Sequence, residues 1–212
     1  MTERDMQAIR DDLSYLRALA AEGRTAPFLG GSILLAAGLI FAAAALVHGL
    51  AMTGVLRGGP GGPSAVVIGA WIAAGVAFGL SITLIKRRIG SRPGAMTASN
   101  RAFGVLWSSL GYGFFAIILA VVVAAWQLGD GQIMGLLCCV IFAMYGAGWA
   151  ASAQLGTQKW LWIVALGSLA SAVGFAFKLD EPDILLWYAA ALICWVAIPG
   201  AILVRQTPSE TV

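Results

Sequence analysis

Residues 28–50 read FLGGSILLAAGLIFAAAALVHGL, twenty-three residues without one acidic, Lys or Arg side chain. At about 1.5 Å per helical residue this run is long enough to cross a hydrocarbon core of about 30 Å. More than twenty residues precede it, several of them acidic. A secretory leader has a short basic start before its apolar run, so the run is expected to be a retained membrane span.

The segment before it, residues 1–27, is punctuated as a helix. Thr2 with Asp5 three residues later resembles a capping box, with Asp in place of Glu. Gly23 and then Pro27 are stop signals. Between them Met6, Ile9, Leu13, Leu16 and Ala20 recur at spacings of three and four, which places them on one apolar stripe. Glu3, Arg4, Asp5, Arg10, Asp11, Asp12, Arg17 and Glu22 occupy the other faces. A helix built to lie on anionic lipid carries an excess of Lys and Arg. Here acids and bases are nearly balanced, five against four over residues 1–27, so the stripe is expected to pack on protein: on the chain's own bundle, on a second copy, or on a cytoplasmic or membrane partner.

Five further apolar runs follow, at about 65–85, 103–126, 133–153, 160–177 and 184–204, none with a charged residue in its interior. The expected fold is all-α: a six-span transmembrane bundle over 28–204, a cytoplasmic amphipathic helix before it, and a cytoplasmic tail at 205–212. Composition agrees. The 212 residues are 60% hydrophobic and 11% charged, against roughly 25% charged in ordinary soluble domains. The 27 glycines suit close helix packing.

Eleven of the thirteen Lys and Arg residues fall in the segments before span 1, between spans 2 and 3, between spans 4 and 5, and after span 6. Only Arg57 and Lys178 fall on the other side. The positive-inside rule therefore puts both termini in the cytoplasm, in keeping with a bacterial inner membrane. The same rule accounts for the basic balance of +3, so no nucleic-acid partner is expected. The lipid bilayer is the expected surrounding, with a second copy as a further candidate partner.

Few groups could carry chemistry. Ion-coupled transporters place ionisable groups within the membrane, and no span has one in its middle. His48 is the one histidine, at the outer end of span 1; an interfacial role is favoured over a switch or haem ligand. One histidine cannot form a two-histidine metal motif, and no acid lies near it to build a triad. Cys138, Cys139 and Cys194 lie in apolar runs without metal spacing and read as packing residues. The loop Arg57-Gly58-Gly59-Pro60-Gly61-Gly62-Pro63 lacks the strand and Lys-Ser/Thr of a phosphate loop. No cofactor and no enzymatic activity are expected.

Among intramembrane hydroxyls, Ser109, Tyr112, Tyr145 and Tyr188 are the candidates for a polar cavity that would pass a small neutral or apolar solute. The competing expectation is that such hydroxyls bond backbone carbonyls or neighbouring helices. Gly75 and Gly79 form a GxxxG pair, and Ala143, Ala147 and Ala151 repeat at four; such faces let helices approach. Pro199-Gly200 in span 6 is the candidate hinge, because proline removes a helical hydrogen bond. The functional reading is a non-enzymatic membrane protein that engages a partner or itself through its N-terminal helix, with solute transport as the alternative.

Overall fold

The computed structural model describes residues 7, 10, 12–14, 28–56, 62–90, 97–156 and 158–206. Among them every regular element is helical. The order is α1 (Gly31–Met52), α2 (Gly62–Gly90), α3 (Ala98–Leu128), a 3-10 turn (Gly131–Gly135), α4 (Leu136–Leu155), α5 (Leu161–Ala176) and α6 (Ile184–Arg205). Within α6 the α-helix is interrupted by a π turn at Ile193–Ala197.

Five helices are long and apolar enough to cross a membrane: Gly31–Met52, Ser64–Arg88, Ser99–Leu128, Gly131–Leu155 and Ile184–Arg205. The fifth apolar run is the exception. It yields α5, a helix of only 16 residues. Polar and charged residues frame it closely, with Gln158 and Lys159 before it and Lys178 after it, and 3-10-type turns replace α-helix at both ends. Leu161, Trp162 and Ile163 donate to the carbonyls of Gln158, Lys159 and Trp160, and Lys178 donates to Phe175.

Two helices outrun the apolar signal that marks them. α2 continues through Lys86, Arg87 and Arg88, cations suited to the negative end of a helix dipole. α3 starts several residues before the apolar run because Thr97 caps it, its hydroxyl oxygen accepting from the Asn100 N–H at 3.4 Å. It ends at Gly129, whose φ of +65° is the left-handed conformation glycine adopts without strain.

α1, α4, α5 and α6 make the core. In lipid the hydrophobic effect does not drive helices together, so close van der Waals packing must do so. Two contacts show how. α1 lies backbone to backbone on α6: a Cβ added at Gly38 would sit 2.5 Å from the Ala197 nitrogen, and one at Gly200 would sit 2.5 Å from the Leu35 nitrogen. α4 lies on α5 through Gly146, where an added Cβ would meet Leu169 at 2.6 Å. α2 packs on α1 and α3 on α4, and both leave most of their apolar side chains, including Ile72, Leu80, Val105 and Phe115, facing outward. A soluble protein does not present apolar surface of this extent.

Of the N-terminal stripe, only Leu13 is among the described residues, in a helical stretch and 48% exposed. Met6, Ile9, Leu16 and Ala20 lie outside them, as do the Gly-Pro loop at 57–61 and residues 207–212 of the tail.

Candidate functional site

The middle of the bundle is filled by aromatic rings. Phe142 of α4 packs edge-on against Phe175 of α5 and Tyr188 of α6, with centroids 5.3 Å away in both cases. Trp107 of α3 meets Trp149 of α4 at 4.9 Å. Phe114 of α3 meets Tyr145 of α4, also at 4.9 Å. Each such pair contributes about 0.5–1.5 kcal/mol beyond its buried area, so together they hold four helices in one arrangement.

The four hydroxyls expected around a polar cavity do not share one. Tyr145 and Tyr188 are buried in this aromatic cluster. Ser109 and Tyr112 point away from it on the outer face of α3, where Tyr112 is 76% exposed. Other intramembrane polar groups are absorbed locally. Ser168 donates to the Val164 carbonyl at 2.8 Å and Ser152 to the Gly148 carbonyl at 2.8 Å. Trp107 Nε1 donates to Ser152 Oγ at 3.1 Å.

Pro199 and Gly200 are buried. In an α-helix residue 199 would donate to the Trp195 carbonyl, and a proline has no N–H to give. Trp149 of α4 supplies the donor instead, its Nε1 lying 2.9 Å from that oxygen. Trp195 itself is braced from the other side, since Gly167 of α5 lies so close that an added Cβ would be 2.4 Å from the indole ring.

His48 links two helices. Its Nδ1 accepts from Trp71 Nε1 of α2 at 3.2 Å, which leaves the ring proton on Nε2. Replacing Trp71 with Phe removes that donor and should lower the unfolding free energy by about 1 kcal/mol. His48→Phe should cost no more in a Trp71→Phe background, where the bond is already gone. Thermal unfolding of the purified protein in detergent reads both. Among the described residues no His, Cys, Asp or Glu cluster has the makings of a metal site, and the three cysteines are free thiols.

A groove about 410 Å³ in volume lies between α5 and α6. Its walls are mainly small or apolar: Ser171 and Gly174 from α5, Ala191 and Cys194 from α6, with Trp195 among them. One end carries charge. Lys178 Nζ lies 3.4 Å from Asp183 Oδ1 and 5.5 Å from the centre of the Trp187 ring. Trp187 Nε1 donates to Asp183 Oδ2 at 2.8 Å. The Trp187 N–H, and then Lys178, hold the Asp183 carboxyl below its ordinary pKa. Sequence reasoning missed this cluster. The usable signal was the spacing of Asp183 and Trp187 by four residues, which puts them one turn apart.

The chain matches no protein-family model, and neither a curated protein nor a solved structure is significantly similar to it.

Proposed function

We propose that the chain is a non-enzymatic, six-span membrane protein whose compact bundle anchors an amphipathic N-terminal helix on the cytoplasmic side, where that helix engages a protein partner or a second copy. The observation that carries this reading is the packed interior. Aromatic and small side chains fill the space among α1, α4, α5 and α6, and no Asp, Glu, Lys or Arg lies mid-helix there. This reading is favoured over the solute-transport alternative by the placement of its four candidate hydroxyls, two buried in the cluster and two facing outward.

The sixth crossing is α5. Sixteen residues span about 24 Å, and the flanking 3-10-type turns extend the ordered segment from Gln158 to Lys178. Lys159 and Lys178 at its ends are long enough to snorkel to the interfaces. Six crossings put both termini on one side, and the lysine and arginine distribution puts that side in the cytoplasm of an inner-membrane protein.

Leu13 supports the N-terminal role because it is an apolar residue of the stripe that the bundle leaves 48% exposed. Changing Leu13 and Leu16 together to Asp should abolish capture of the partner in mild-detergent pull-downs, or lower the oligomeric state, while the bundle's melting temperature stays within a few degrees of wild type. Unchanged partners together with an unchanged oligomeric state would overturn the proposal.

A further inference from the structure

The α5–α6 groove has a shape and a charge pattern that fit one kind of occupant. Its floor is closed where Trp195 meets Gly167, while at Gly174 nothing lies within 4 Å of an added Cβ. From Ser171 to Lys178 it runs along about 10 Å of helix, roughly the outer third of a hydrocarbon core. A volume of about 410 Å³ is within the usual range of ligand pockets, roughly 300–1,000 Å³. The walls offer an acyl chain small side chains to lie against, and Lys178 stands where a headgroup would begin.

The charges at that end select among headgroups. Lys178 and Asp183 form a pair in which each side chain is only about a third exposed, 35% and 37%. Neither is saturated. The ammonium has three donors and the carboxylate about four acceptor sites, and between them they use one mutual contact, the Trp187 N–H bond to the carboxylate and the ammonium's place over the Trp187 ring. A cation beside an anion is complementary to a headgroup that is itself a phosphate beside an ammonium. An anionic headgroup fits worse, because the same loop carries Asp180, Glu181 and Asp183 against the single Lys178. A quaternary ammonium has no N–H to donate to Asp183.

We propose that the groove between α5 and α6 holds one acyl chain of an amine-bearing zwitterionic phospholipid, with its phosphate on Lys178 and its ammonium on Asp183. The inference rests on α5 crossing the membrane beside α6, as in the function proposed above. Site occupancy then stabilises the packing of α5 on α6, as any ligand that binds only the folded state does.

The test is native mass spectrometry of the full chain released from nanodiscs of equimolar phosphatidylethanolamine, phosphatidylglycerol and phosphatidylcholine. The wild type should retain one phosphatidylethanolamine at least fivefold over either competitor. Gly174→Trp fills the open wall and should cut retention about tenfold; Ala190→Trp, on the opposite wall, does the same should the first variant fold poorly. Lys178→Gln should erase the headgroup preference. Equal retention of all three lipids, preference for phosphatidylglycerol, or retention unaffected by the tryptophan variants would overturn the proposal. Thiol labelling of single cysteines at positions 159 and 178 separates the two levels. Labelling from the same side refutes the crossing by α5, whereas labelling from opposite sides with no selective lipid refutes the groove proposal alone.

Discussion

Gly38→Leu should be the most damaging single substitution in the bundle. A Cβ at position 38 would lie 2.5 Å from the nitrogen and 2.7 Å from the Cα of Ala197. These are backbone atoms of α6, which cannot rotate aside as a flexible side chain would. α1 and α6 would have to separate, and with them the contacts at Gly31 and Gly200 toward one end and at Gly49 toward the other. Overpacking of a core usually costs about 1–3 kcal/mol and more where backbone must move, so a loss of about 3 kcal/mol or more is expected. Gly200→Leu should behave alike, since its Cβ would meet the Leu35 nitrogen at 2.5 Å. Gly75→Leu and Gly79→Leu supply the contrast: nothing lies within 4 Å of either added Cβ, and the monomer's stability should change by less than about 0.5 kcal/mol. Unfolding in mixed micelles, followed by far-UV circular dichroism, reads all four.

Trp149→Phe should have the second largest effect. Trp149 is fully buried, and its Nε1 bonds the carbonyl of Trp195 at 2.9 Å, the oxygen that Pro199 cannot serve. Losing the indole leaves a buried acceptor without its donor, at about 1–3 kcal/mol, with further loss from the smaller ring. The cause can be isolated. Pro199→Ala provides an N–H at residue 199, so Trp149→Phe should be milder by about 1 kcal/mol in that background. Additive losses from the two changes would show that Trp149 acts by packing alone. The site read from sequence as a hinge is thus held at three points: by Trp149, by the close approach of Gly200 to α1, and by Trp195 against Gly167.

What was readable in the sequence, and what was not, follows from the range of each signal. Hydrophobic length is local, so residues 28–50 and four later runs marked helices long enough to cross. The run at 160–177 marked a helix but overstated it, because Trp160 and Phe177 are as apolar as helix-interior residues yet lie in tighter terminal turns. Small-residue spacing is also local, but its meaning depends on which helix lies opposite. The Gly75–Gly79 pair has open space before it, and Ala143 and Ala147 face outward. The contacts that matter fall instead at Gly38, Gly146 and Gly200, whose partners are far away in the chain. The small stripe Gly31, Gly38, Ala42, Ala45 and Gly49 of α1, buried along its length, was the available clue. Likewise the partner for Pro199's lost bond lies fifty residues earlier on α4, beyond any local pattern.

The positions of the polar candidates follow the same rule. Tyr145 and Tyr188 could be recognised as intramembrane hydroxyls, but not as neighbours of a common ring, Phe142. Ser109 and Tyr112 are on α3, a helix that buries only Phe103 among its described residues. A sequence states that a residue is polar and on a helix; only packing states which way it faces. The groove shows this most clearly. Its walls mix two alanines, a glycine, a serine and a cysteine with large side chains such as Trp187 and Trp195, and it becomes visible only where α5 and α6 leave room between them.

The central claim is a six-crossing bundle that returns both ends of the chain to one face, with the N-terminal helix in the cytoplasm. Impermeant-thiol labelling of intact cells tests it directly, with single cysteines placed at Ser14, Lys178 and Gln206 in a chain whose three native cysteines are replaced by alanine. Lys178→Cys should label from outside, while Ser14→Cys and Gln206→Cys should label only after the membrane is opened. Labelling of Ser14→Cys and Gln206→Cys from opposite sides would mean an odd number of crossings and would contradict the account.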